Sequence, residues 1–112
     1  MASRRLRVVL RPRAEADIDA ATDYYLRKAG IAVAQKFGDA LTEAFVLLGR
    51  NPSIGSTRFA DATGMPGLRA WPVRPWPYMV FYVLGEKMID VVRVLHTSRD
   101  LPATLAEPPD VP

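Results

Sequence analysis

The chain is predicted to fold as a single α+β domain: an N-terminal strand, an antiparallel helix hairpin, and a C-terminal antiparallel β-meander on which the hairpin packs. Three observations carry that reading. Residues 14–48 repeat apolar side chains at helical spacing, residues 68–95 form three apolar β-type runs, and Pro or Gly stands at the boundaries. The 112 residues suit one small domain with a single core. We place that domain at residues 1–101, with 102–112 as a proline-rich tail.

Leu6-Arg-Val-Val-Leu10 is a short β-type run that stops at Pro12. Pro12 suits the first turn of a helix, where its missing N–H costs nothing. Glu15, Asp17 and Asp19 sit near that positive helix end. Ala14, Ile18, Ala21 and Tyr25 then make one apolar stripe, and Gly30 can end the helix in a left-handed conformation. A second helix is expected from about 32 to 48, burying Ala34, Phe37, Leu41, Ala44, Phe45 and Leu48. Gly38 weakens it by about 1 kcal/mol against Ala unless the other helix packs closely there.

Residues 51–67 are loop-like, with Pro52, Gly55, Gly64, Pro66 and Gly67. Strands are expected at about 68–73, 78–84 and 88–95, with Gly85-Glu86 as a tight turn. Pro72, Pro75 and Pro77 confine the first of these strands to an edge or interrupt it before Tyr78, because proline cannot donate to a ladder. Phe81 with Val83, and Tyr82 with Leu84, are both apolar sets, so either face of the meander could lie on the helices. A one-residue slip would move Arg93 between faces. Past Leu101 at most a short helical piece is expected, around residues 103–106.

Composition narrows function by exclusion. There is no cysteine, hence no disulfide framework and no thiolate metal site, and the single histidine and scattered acids offer no metal cluster. No P-loop or nucleophile elbow is present, and no cofactor is expected. No apolar run approaches the ~20 residues of a membrane span, and no signal-peptide apolar region follows the basic start, so the expectation is a cytoplasmic protein. The net charge is only +3, but 15 Lys and Arg include just three lysines: Lys28, Lys36 and Lys87. Arginine forks match carboxylates and phosphates, which suits an acidic peptide or a nucleic acid.

The candidate site lies in the meander. Arg69, Arg74, Arg93 and Arg99 could form a cationic groove, interleaved with Trp71, Trp76 and Tyr78 that could stack on bases or receive a partner's apolar anchors. Arg93 stands among Val91, Val92, Val94 and Leu95, where an unpaired charge is costly, so Asp100 or a partner carboxylate is expected beside it. His96 is the residue that titrates near neutral pH. It is an acid–base group for RNA cleavage, or else a histidine that caps a strand end or bonds Asp100.

Several local strings follow one another in a recognisable order. They are Leu10-Arg-Pro-Arg-Ala-Glu-Ala-Asp-Ile-Asp19, Asn51-Pro-Ser-Ile-Gly55, Gly67-Leu-Arg69, Tyr78-Met-Val-Phe-Tyr82, and Val92-Arg-Val-Leu-His96 with Arg99-Asp100. In that order, over about residues 6–102, the chain resembles the RelE/ParE toxins of type II toxin–antitoxin systems. The resemblance implies a cognate antitoxin, ParD-like or similar, whose extended or helical segment wraps the toxin. It also implies one of two targets. RelE-like members cut ribosome-bound mRNA with several basic residues and often a tyrosine or histidine near the C-terminus; here those would be Arg69, Arg93 and His96. ParE-like members lack that set and poison DNA gyrase by binding. The last tyrosine here is Tyr82 and the meander holds a single lysine, which points to the ParE-like, non-enzymatic branch. Partner contacts are then expected from Arg69, Trp71, Arg74, Tyr78, Arg93, His96 and Arg99.

Overall fold

The structure, a computed structural model, describes residues 5–98 and 101–105. Its elements in chain order are β1 (Arg7–Leu10), α1 (Pro12–Ala29), α2 (Ile31–Arg50), α3 (Ala60–Thr63), β2 (Leu68–Pro72), β3 (Tyr78–Leu84), β4 (Met88–His96) and α4 (Leu101–Leu105). The four strands form one sheet in the order β1-β4-β3-β2. The meander is antiparallel throughout, while β1 returns to lie parallel to β4. The fold is therefore the expected α+β arrangement of strand, helix hairpin and meander.

Local chemistry explains the hairpin. Pro12 opens α1, and Gly30, at φ 93°, separates the helices while its N–H bonds the Tyr25 and Leu26 carbonyls. That positive φ is where a side chain would be strained. The α1 stripe lies on the sheet as expected, with Ala14 and Ala21 buried and Ile18 and Tyr25 packed against the core. On α2, Phe37, Leu41, Ala44 and Leu48 fill the space over Val80, Tyr82, Ile89, Val91 and Val94. Phe37 is fully buried, so truncating it to alanine removes about 3–5 kcal/mol. A Cβ at Gly38 would meet nothing within 4 Å, so close helix packing is not the reason for that glycine.

Both faces of the sheet are covered. Leu68, Ala70, Met79, Phe81, Val92 and Leu95 form a second cluster with Leu101 and Leu105 of α4, and Phe59, Ala60 and Met65 pack on it. Double burial explains why both apolar sets of the meander looked eligible: Tyr82 faces the helices and Phe81 the second cluster, each fully buried. The β3–β4 register shifts between Phe81 and Tyr82. This bulge re-aims the side chains of β4 after Val92. The boundary expected after residue 101 falls inside α4, whose two leucines are buried; residues 106–112 lie outside the described part.

Candidate functional site

The bulge decides where Arg93 points. Its Nε and NH2 donate to the two carboxylate oxygens of Asp17 on α1, at 2.7 and 2.9 Å. The Val94 N–H donates to the same carboxylate at 3.0 Å. With side chains only 11% and 14% exposed, this is a largely buried, bidentate ion pair joining α1 to β4. The counter-charge expected from Asp100 or a partner comes instead from Asp17, 76 positions upstream. Arg99 and Asp100 lie outside the described residues.

Arg69 also turns inward. Its NH1 donates to the carbonyls of Ser53 and Gly55, both at 2.9 Å. Tyr82 reinforces the clamp from the helical face of the sheet: its hydroxyl donates to the Pro52 carbonyl at 2.8 Å and accepts the Gly55 N–H at 3.0 Å. Burial pushes the Tyr82 hydroxyl above its ordinary pKa, against smaller opposing effects from the Gly55 bond and the Arg69 charge. Gly55 is required by contact, since a Cβ there would stand 2.6 Å from the Tyr82 oxygen. Burial likewise raises Tyr25, with neighbouring Tyr24 adding to the shift.

His96 ends β4 beside Tyr78, their rings edge-to-face at 5.2 Å. Its Nδ1 accepts the Ser98 N–H at 3.0 Å and lies 2.7 Å from the Ser98 hydroxyl oxygen. With that lone pair engaged, a neutral ring carries its proton on Nε2. His96 lines a hollow of about 220 Å³ with Asp17, Tyr24 and Tyr78. The two cations nominated beside it are bonded elsewhere, Arg93 to Asp17 and Arg69 to loop carbonyls.

Trp71, Arg74 and Tyr78, by contrast, come together. They line a cleft of about 740 Å³ between the loop after α2 and the loop joining β2 to β3, with Trp76 and Arg58 on its walls. Of the seven nominated partner-binding residues, the structure thus gathers three here and places His96 across Tyr78. Arg69 and Arg93 face internal acceptors. Trp76 was expected in the groove but not among the seven contacts, and Arg58 was not expected at all. Trp76 was legible as part of the aromatic run, whereas Arg58 reaches the cleft only because Ser56 pairs with Ala70. Among the described residues, no group of three or more His, Asp or Glu could hold a metal ion, and no helix is long and apolar enough to cross a membrane.

The family model of the ParE toxin of the type II toxin–antitoxin system parDE matches residues 8–101. A solved chain from the chromosomal ParDE system of P. aeruginosa has a similar fold, with TM-score 0.69 and 24% identity, covering 84% of this chain and 98% of that one. No curated protein matches the sequence significantly.

Proposed function

The chain belongs to the ParE toxin family of type II toxin–antitoxin systems, and from that premise we propose that it arrests growth by binding DNA gyrase until a cognate, ParD-like antitoxin neutralises it. It acts in the cytoplasm, without cofactor, as a binding protein and not as an enzyme. The family match across residues 8–101 carries this reading. The cations expected beside His96 support the non-enzymatic branch, because both turn to internal acceptors: Arg93 to Asp17 and Arg69 to the loop carbonyls. RNA cleavage needs cations that face the phosphate beside the acid–base group. Partner contacts come from Trp71, Arg74 and Tyr78, with His96 at the margin and Arg99 added from the sequence.

Expression without a partner tests the reading. Growth should stop, gyrase-dependent DNA breaks should accumulate, and the purified chain should inhibit supercoiling by gyrase in vitro. The ribonuclease reading takes over if translation stops first and mRNA is cut at the ribosome. In that case His96→Gln would abolish cleavage and leave the fold unchanged.

A further inference from the structure

We infer that the cleft lined by Trp71, Arg74, Trp76 and Tyr78 holds an extended, acidic segment of the antitoxin by side-chain anchoring and not by strand addition. This deepens the toxin reading above and rests on it. Charge sets the occupant's sign, and the toxin–antitoxin family match supplies a protein partner to carry it. The cleft wall carries Arg58 and Arg74 and, among the described residues, includes no acidic one. Arg58 is an exposed residue whose guanidinium is set over the Phe59 ring at 4.7 Å. The adjoining hollow of about 400 Å³ shares Trp71, Pro72 and Arg74 but adds Glu43, so an anionic segment is favoured in the larger cleft. Two tryptophans and a tyrosine beside the arginines offer rigid apolar seats for anchors spaced between the acids.

The edge of the sheet explains the mode. β2 is an outer strand, the usual template for an added strand. Here Ala70 already exchanges both backbone bonds with Ser56, at 2.8 and 2.9 Å. Pro72, two residues on, has no N–H to offer. An incoming chain finds that stretch closed and must be held by side chains. Both walls are set in advance. Arg69 and Tyr82 clamp residues 52–55, and Val73 N–H to Tyr78 C=O and Trp76 N–H to Val73 C=O close the opposite loop at 2.9 and 2.8 Å. Little ordering is left to oppose binding.

The chain's two tryptophans both line this cleft, so their emission reports its occupancy. The probe is a short synthetic peptide alternating glutamate with leucine, compared with a lysine–leucine counterpart. The acidic peptide should shift the emission saturably, the basic one should not, and raising salt should weaken the effect. The double variant Arg58→Glu, Arg74→Glu, both at exposed positions and checked for folding by circular dichroism, should bind about tenfold more weakly. No shift with the acidic peptide, an equal shift with the basic one, or unchanged affinity in the double variant overturns the inference. Inhibition of gyrase supercoiling by the wild-type chain is scored in parallel. Inhibition without peptide binding sinks the cleft alone, whereas peptide binding without inhibition sinks only the gyrase reading.

Discussion

Replacing Asp17 by alanine should be among the most damaging single changes outside the apolar core, although the residue lies on a helix flank. The substitution removes three hydrogen bonds at once: two from Arg93 at 2.7 and 2.9 Å, and one from the Val94 N–H at 3.0 Å. Breaking a buried ion pair from one side costs about 3–5 kcal/mol, because the remaining charge stays desolvated. Side-chain exposures of 11% and 14% admit some water, so the lower end applies, about 3 kcal/mol. At about 4 °C per kcal/mol for a domain of this size, Tm should fall by about 12 °C. Asp17→Asn keeps an acceptor for Val94 and should cost only ~1–2 kcal/mol. Exchanging both partners for apolar residues, Asp17→Leu with Arg93→Met, should recover all but ~1 kcal/mol left by the Val94 N–H. Urea denaturation followed by circular dichroism measures each variant, with m-values expected to stay constant. A loss below about 0.5 kcal/mol for Asp17→Ala, or a double variant no better than the single one, would refute the argument that the pair is structural.

Other perturbations sort the remaining contacts. Tyr82→Phe strands the Gly55 N–H and the Pro52 carbonyl, and should cost about 1–3 kcal/mol by urea denaturation. Burial raises the folded-state pKa of Tyr82 above its ordinary 10.0, so its contribution is complete below that pH and lost as pH climbs through the folded value. The urea midpoint should therefore drop above about pH 10, less steeply in Tyr82→Phe; a flat profile would contradict the burial argument. Arg11→Ala breaks a pair with Asp90 at 2.7 Å, but Arg11 is 40% exposed, so the loss should stay within ~1 kcal/mol. Leu105→Ala should cost about 2–4 kcal/mol if α4 seals the second face of the sheet, and almost nothing if that turn is loose.

The helix hairpin and the number of strands could be read along the chain because their causes are local. Pro12 and Gly30 act on their own dihedrals, and the spacing of Ala14, Ala21, Phe37 and Leu41 follows from 3.6 residues per turn. The aromatic and arginine content of the meander was legible in the same way, and Trp71, Arg74 and Tyr78 do share one cleft. Register was not legible. A strand buried on both faces shows no alternation, so nothing along Tyr78–Leu84 reveals the shift at Phe81 and Tyr82. The four residues of α3 are too few for a periodic signal. The roles of the arginines belong wholly to three dimensions. Which carboxylate meets Arg93, which carbonyls meet Arg69, and whether Arg58 joins Arg74 depend on contacts between segments far apart in sequence. Charge type is a property of the residue; whether that charge faces a partner or an internal acid is settled when the sheet closes beneath the helices, because desolvation selects the paired arrangement.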